Sequence, residues 1–501
     1  MSAAVPGRAR TRSGRCGQQG KAGDAGMIEI VLTVAIYGGL WWWLGSGHAP
    51  GRLDRLSQGL RTEHAALIML LLASHARVAR SGAADSLSSP LVIETALRGV
   101  FVLAALALIV PLARSTITLS ATVRRRHWAI LALVIYTGAA ASSTLYAVGF
   151  LQTAGKVAEL ATLIIVAWHL ASRQDASSAL MRTLYLVVIL EAGTLLVSVL
   201  GYFLAPALFA RTLSRPGFVF ATTLEGPLGS ANDTAATGGL LVAVAVAVWM
   251  SRAPDRRRWI WPALIVTGLA AVILASGRQG VAIMIGAVAV VLWVRNRRGF
   301  VLVGLPTIAL IWLFGGGAIL EALLRDQPPG AVETLSGRTV FWDAAISAFQ
   351  RQPLSGYGFG GSKFSVLAGI GADQYTHLHN GYLEALVGVG LIGFVPLMVA
   401  VFLTVRWCVA NLRRGHHVPL VVMVPALLAQ NAIGQGFGGW LNTNLVLFAL
   451  LAALADVQGR SATTPPRDVG GPLRRPRPRA RTRGGPPLVT AGAPPSRPGP
   501  R

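Results

Sequence analysis

The stretch Thr376–Gly393, THLHNGYLEALVGVGLIG, passes from a polar segment with two histidines into an apolar run that can begin a membrane helix. Apolar runs near helix-spanning length recur on both sides of it. The sequence therefore predicts that His377 and His379 lie where a membrane helix starts. Polar side chains in that position call for a structural or chemical reason.

The composition indicates a protein that crosses a membrane many times. Of the 501 residues, 53% are hydrophobic and 13% are charged, and the mean hydropathy is +0.57. The apolar runs are rich in Leu, Ala, Val and Ile and do not alternate with period two, which favours helices over strands. We predict an all-α fold, a polytopic transmembrane helical bundle.

About half of the net charge of +25 lies in two tails, residues 1–26 and 458–501. The first is a basic N-terminal tail and the second is a Pro/Arg-rich cytoplasmic tail. Both are predicted to be disordered, because they have too few large apolar residues for a core. Short arginine clusters between apolar runs are typical of cytoplasmic loops, so we expect the charge to meet anionic membrane lipids and no nucleic acid.

Residues 27–457 form the predicted transmembrane domain. The alternation of basic and non-basic connections gives about twelve spans with both termini inside. The run 65–74 is too short to cross and is placed along the interface, and if it spans, the count is thirteen. The longest polar connection, 324–380, is then one large extracytoplasmic loop, and loops of this length are usually functional.

Residues 337–349 of this loop carry apolar side chains at helical spacing. The pattern predicts an amphipathic helix on the membrane surface or over a cavity. Its apolar positions are Phe341, Ala345, Ala348 and Phe349. The glycine-rich run 356–361 then ends the helix.

Two arginines reach the outer face by topology. Arg278 sits in the short turn ASGRQG between two helix ends, and Arg338 opens the amphipathic segment. A planar guanidinium binds a diphosphate with two parallel hydrogen bonds. The alternatives are an interfacial anchor for Arg278 and a solvated helix start for Arg338.

The residues 336–361, SGRTVFWDAAISAFQRQPLSGYGFGG, together with Thr376–Gly393, resemble the O-antigen ligase and O-antigen polymerase superfamily of bacterial envelope glycosyltransferases. The ligase-type signature of that superfamily is His, then Asn, Ser or Gln, nine residues, Gly, two residues and Gly. His379, Asn380, Gly390 and Gly393 fit it. The resemblance covers roughly the second half of the chain.

This resemblance implies a multi-pass enzyme of the bacterial cytoplasmic (inner) membrane. The donor would be a glycan on polyprenyl pyrophosphate, and the acceptor a glycan, a lipid or a protein. Arg278 and Arg338 match the positions that bind the pyrophosphate, with Asn380 as a further substrate-binding residue. His379 would accept or orient the proton of the acceptor hydroxyl. We expect a metal-independent glycosyltransferase without a cofactor.

The spacing of the two glycines also has a geometric interpretation. If the helix extends through His379, Gly390 returns to the same face after about three turns, and Gly393 lies within about 40° of it. Small residues on that face let a neighbouring helix approach closely. The alternative to a functional signature is therefore a packing seam with an incidental histidine.

Several other polar residues are weaker candidates. Asn232, in LEGPLGSANDTAATGG, could position a sugar or cap a helix. Glu191 lies inside a predicted span and would be functional or pair with an arginine on a neighbouring helix. A polar stripe near the outer end of a late span fits either cavity lining or interhelical hydrogen bonds. It consists of Gln430, Asn431 and Gln435.

The activity within this class stays open at the level of sequence. A ligase, a polymerase and a transferase onto protein all fit, and the full histidine signature favours the ligase. The rival from another class is a transporter of lipid-linked oligosaccharides or small molecules. A transporter is expected to show internal repeats or paired broken helices, and the sequence shows no convincing pair.

Overall fold

The fold is described by a computed structural model. The residues it describes are 62–75, 91–123, 127–212, 222–225, 230–250, 259–297, 338–371, 377–434, 436–439 and 441–461, with the single positions 35, 299, 301 and 304. Both predicted tails lie largely or wholly outside these residues, and so do residues 324–337 and 372–376 of the predicted loop.

The described part is almost entirely helical. In chain order its helices are α1 (Thr62–His75), α2 (Leu91–Val123), α3 (Trp128–Ser143), α4 (Phe150–Ser172), α5 (Ala176–Leu204), α6 (Pro206–Phe209), α7 (Ala231–Trp249), α8 (Ile260–Ala275), α9 (Arg278–Val294), α10 (Arg338–Arg351), α11 (Gly381–Arg414), α12 (Val418–Val421), α13 (Met423–Ile433) and α14 (Thr443–Ser461). A π turn, Lys363–Leu367, and a 3₁₀ turn, Ala368–Ile370, follow α10.

Four of these helices, α4, α5, α7 and α11, are long and apolar enough to cross a bilayer, as judged within the described residues. Several helices expose large apolar side chains, such as Leu103 on α2, Leu204 on α5 and Phe402 on α11, as a lipid-facing surface requires. The predicted all-α membrane fold is confirmed. The count of twelve spans and the extent of the outer loop stay predictions.

One short antiparallel pair of strands, β1 (Ala210–Thr212) and β2 (Thr222–Leu224), lies beside the helices. The strands lie between α6 and α7 in the chain. The hydroxyl of Thr223 in β2 donates to the carbonyl of Ala275, 2.9 Å away, at the last residue of α8. The strand pair therefore holds the helix end from which the arginine-bearing turn departs.

The placement of residues 65–74 along the membrane interface is wrong. These residues belong to α1, which is buried against α2 and α4, with Leu67, Leu70 and Leu71 at 0% exposure. A helix on the interface would keep one face accessible. At its first turn Glu63 pairs with Arg173 after α4, so this short helix is a packed core element.

Helix α11 is broken at Gly390, which has φ 57° and ψ −166°. In a continuous helix, the N–H groups of Leu391 and Ile392 would bond the carbonyls of Val387 and Gly388. The break separates both pairs. Four backbone groups in the middle of an apolar helix then need other partners, because the bilayer offers none.

The segment 353–358, which follows α10, supplies these partners. It lies in the break and replaces both helical bonds with four of its own. They are Leu391 N–H to Pro353 O (2.8 Å), Ile392 N–H to Leu354 O (3.2 Å), Tyr357 N–H to Val387 O (2.9 Å) and Gly358 N–H to Gly388 O (2.8 Å). The segment after α10 is thereby part of the hydrogen bonding of α11.

Because of this break, the two signature glycines do not have the geometry expected for a continuous helix. The helix begins at Gly381, after His379, and is interrupted at Gly390, so neither glycine continues a face that starts at the histidine. Gly390 instead admits the inserted segment, since a Cβ there would lie 2.2 Å from the Leu354 carbonyl oxygen. Gly393 does face another helix, because a Cβ there would lie 3.2 Å from Ala139 Cβ of α3.

Replacing Gly390 with alanine is expected to destabilise the protein by roughly 2–5 kcal/mol, from a positive φ and a clash with fixed backbone. Thermal unfolding of the detergent-purified protein measures the effect. Gly286→Ala on α9 is the control, because nothing lies within 4 Å of a Cβ there. That change should be neutral or slightly stabilising. Equal melting temperatures for both variants would contradict the role of the break.

Candidate functional site

The segment before α11 is held at both sides of His379. Leu378 is fully buried, its N–H donates to a Glu384 carboxylate oxygen (2.8 Å), and its carbonyl accepts from the Trp342 indole of α10 (3.1 Å). Asn380 is the N-cap of α11, and its Oδ1 accepts from the N–H groups of Tyr382 and Leu383 at 3.0 and 3.1 Å. The histidine is therefore fixed between two anchored neighbours.

His379 itself has φ +54°, a left-handed conformation that is uncommon outside glycine. Such conformations persist where the surroundings enforce them, and they cluster at functional sites. The ring is partly buried and lies against His377, with 4.1 Å between ring centroids. The bonds around Leu378 and Asn380 account for the enforced backbone.

Burial, and then the positive charge of Arg338, lower the pKa of His379 to about 4. The imidazole is therefore neutral at neutral pH and keeps a nitrogen lone pair that can accept a proton. Because the charge of Arg338 contributes to this lowered pKa, its guanidinium lies near the His379 ring.

Arg338 is the first residue of α10, and its Nη1 donates to the carbonyl of Ile433 at the end of α13. Burial and the nearby Arg278 lower its pKa, while Asp233 opposes them. Arginine stays charged despite such shifts. Two guanidinium groups of the same sign thus lie near one another, an arrangement that a bound anion would stabilise.

Arg278 is the first residue of α9, after a turn in which Ser276 has φ +48°. The turn is pressed onto the start of α7. A Cβ on Gly277 would lie 2.3 Å from Ala235 Cβ, and one on Gly280 would lie 2.4 Å from the Ala235 carbonyl oxygen. Close contact between these small residues therefore fixes the backbone position of Arg278.

Asn232 lies at this same contact, with its Cα 3.6 Å from the position of a Gly277 Cβ. The alternative that Asn232 caps α7 is wrong, because the N-cap is Ser230. The Ser230 hydroxyl accepts from the Asp233 N–H (3.2 Å) and donates to the Asp233 carboxylate (2.8 Å). The side chain of Asn232 is partly exposed beside the arginine turn, and its sugar-binding role stays a prediction.

The structure thus brings together the three principal residues predicted from the sequence, Arg278, Arg338 and His379, with Asn232 next to the first of them. Asn380 adjoins the histidine, but its side-chain oxygen serves the helix cap. Gly390 and Gly393 lie further along α11, where they determine its packing. Catalysis by His379 and substrate binding by Asn380 and the arginines stay predictions.

Other candidates have structural partners. Glu191 accepts from the Thr443 hydroxyl (2.7 Å) and lies 3.5 Å from His75 Nε2, so its partners in the described residues are not the expected arginine. Asn431 accepts from the Phe437 N–H (3.0 Å) and donates to the Leu427 carbonyl (2.8 Å). This favours hydrogen bonding over cavity lining for Asn431.

Sequence reasoning missed two charged positioning residues. Glu384, buried in the first turn of α11, also accepts from the Ser362 hydroxyl. Lys156 of α4 donates to the Gly360 carbonyl, 2.8 Å away, and so holds the glycine-rich loop. A charge inside an apolar helix was the available signal for both.

Parts of the chain are similar in sequence to known proteins. Residues 263–398 match the sequence model of the family described as O-antigen ligase. A stretch of 103 residues is 35% identical to the exopolysaccharide production protein ExoQ of Rhizobium meliloti (strain 1021). That stretch covers 19% of this chain and 22% of ExoQ, so the chain matches about a fifth of that relative's length.

The family match contains Arg278, Arg338 and His379, and both signature glycines. It ends within α11, after the break and the signature. Within residues 263–398, the chain is thus similar to the O-antigen ligase family.

Proposed function

We propose that the protein is a glycosyltransferase of the bacterial cytoplasmic membrane that takes a glycan from polyprenyl diphosphate and transfers it to a hydroxyl group. The observation that carries the proposal is the meeting of two arginines with a neutral histidine at the ends of apolar helices. Cationic groups suit the diphosphate, and the imidazole suits a hydroxyl proton.

In this reaction the acceptor oxygen attacks the anomeric carbon of the donor sugar. The bond from that carbon to the diphosphate oxygen breaks, and polyprenyl diphosphate leaves. His379 takes the hydroxyl proton, while Arg278 and Arg338 stabilise the charge that develops on the leaving diphosphate. The arginines provide the positive charge, and independence of metal ions is part of the proposal.

The histidine signature favours a ligase, and a polymerase is the second candidate. The relative that is 35% identical over 103 residues is named for exopolysaccharide production, which fits either activity. The glycans of a deletion strain distinguish the two. Accumulated lipid-linked polymer beside an unmodified acceptor indicates a ligase, and shortened chains indicate a polymerase. Unchanged envelope glycans would contradict both candidates and favour a transporter or another activity.

His379→Ala is expected to lower the transfer rate by about 10²–10⁴, the usual contribution of a general base. The rate is measured with purified enzyme and lipid-linked donor. The matched control is His416→Ala, at an exposed position near the opposite end of α11, which should retain full activity. Normal turnover by folded His379→Ala would remove the histidine from the mechanism.

Arg278→Lys is expected to raise the KM for the donor about tenfold, because lysine keeps the charge but loses the bidentate hydrogen bonds. Steady-state kinetics with varied donor measure this. Arg182→Lys serves as the control, since that arginine bonds Asp175 near the turn between α4 and α5. An unchanged donor KM for Arg278→Lys would support the interfacial anchor instead.

The pH dependence follows from the neutral form of His379 being the active one. The value of kcat/KM should stay level on the acid side until the pH falls to about 4 and then decline. Arg338→Gln removes a positive neighbour, so the pKa of His379 should rise and the decline should begin at higher pH. Arg338→Lys keeps the positive charge, so the pKa of His379 and the pH at which the decline begins should stay unchanged. NMR titration of labelled histidine tests the same shift without activity, and identical titrations of both variants would contradict the coupling.

A further inference from the structure

Gln279, the second residue of α9, is a buried amide whose hydrogen bonding is incomplete. Its exposure is 7%, and neither Nε2 nor Oε1 has a hydrogen-bond partner within the described residues. Asn431 shows the usual arrangement, with both amide atoms bonded. Buried polar groups are nearly always satisfied, so an orphaned amide requires an explanation.

The position of this amide relates it to both arginines. Gln279 directly follows Arg278 in the chain. Its Nε2 lies 3.5 Å from the position that a Cβ on Gly434 would occupy. Gly434 follows Ile433, whose carbonyl receives the Arg338 guanidinium. The unpartnered amide therefore lies next to Arg278 in the chain and near the backbone that binds Arg338.

The chemistry of an amide selects among the groups of the donor. Nε2 donates hydrogen bonds and Oε1 accepts them. An ionised diphosphate only accepts, so it would satisfy Nε2 and leave Oε1 facing an anion. A sugar hydroxyl or acetamido group both donates and accepts, and can satisfy both atoms. The sugar attached to the diphosphate is within one bond of the group that the arginines would hold.

We infer that Gln279 binds a hydroxyl or acetamido group of the sugar that is linked directly to the diphosphate of the donor. The inference rests on the proposed function and specifies one contact of the same site. Gln279 then determines specificity for the first sugar, while the arginines hold the diphosphate, which is the same for every donor. Recognition through a buried amide discriminates strongly, because a sugar without the matching group leaves the amide unpaired.

The test compares Gln279→Leu with Gln458→Leu. Leucine is close in size to glutamine and removes both polar atoms. Gln458, near the opposite end of the bundle, accepts from the Trp407 indole (3.3 Å) and donates to the Ser177 hydroxyl (3.0 Å). Gln458→Leu should therefore lower the melting temperature and leave the donor KM unchanged. Gln279→Leu should keep or raise the melting temperature and raise the donor KM about tenfold.

A second measurement separates the sugar from the diphosphate. Polyprenyl diphosphate without sugar should inhibit the wild type and Gln279→Leu equally. The same carrier with a single N-acetylated hexose should bind the variant about tenfold more weakly than the wild type. Equal weakening of both ligands would assign the amide to the diphosphate. A change in the acceptor KM alone would assign it to the acceptor, and a lower melting temperature with unchanged KM would make it structural.

The outcome remains distinguishable from failure of the proposed function. If the wild type transfers no glycan, equilibrium binding of the two carriers still tests the contact. Tighter binding of the sugar-bearing carrier to the wild type, lost in Gln279→Leu, would support the inference without transfer. Equal affinity of the wild type for both carriers would overturn it.

Discussion

The absence of water inside a bilayer makes the break in α11 the constraint on which the site depends. At Gly390 two helical hydrogen bonds are lost, and the segment 353–358 supplies their replacements. The loop that leaves α10 is therefore fixed to the helix that begins beside His379. This connection holds α10, with Arg338 at its start, against the histidine-bearing segment, so the helix break and the site are parts of one arrangement.

Buried charges hold the rest of that arrangement in place. Glu384 accepts from the N–H of Leu378, before α11, and from the hydroxyl of Ser362. Lys156 of α4 donates to the glycine-rich loop. Each of these charged groups is hydrogen-bonded within the described residues, as burial in an apolar environment requires. Arg278, Arg338 and His379 are instead the groups whose chemistry suits a diphosphate and a hydroxyl proton, the roles proposed for them. The contrast separates the residues that build the site from those proposed to act in it.

The sequence predicted much of this, for identifiable reasons. Apolar runs of spanning length gave the helical class, and helical spacing of Phe341, Ala345 and Ala348 gave α10 and its buried face. Arginines at helix ends and the histidine signature gave the principal site residues. The failures were also consistent. The length of residues 65–74 favours the interface but does not reveal what packs on them. The spacing of the two glycines does not reveal that the helix starts only after His379 and breaks at Gly390.

The sequence by itself determined the membrane class, the helices and the chemical groups at the helix ends, because hydrophobic periodicity and side-chain chemistry are local properties. The tertiary structure decided which of those groups meet. Only packing shows that α1 is buried and that Gly390 receives the backbone of segment 353–358. It also shows that the Gln279 amide has no hydrogen-bond partner among the described residues. These features depend on hydrogen bonds and contacts between residues distant in the chain, which no local pattern encodes.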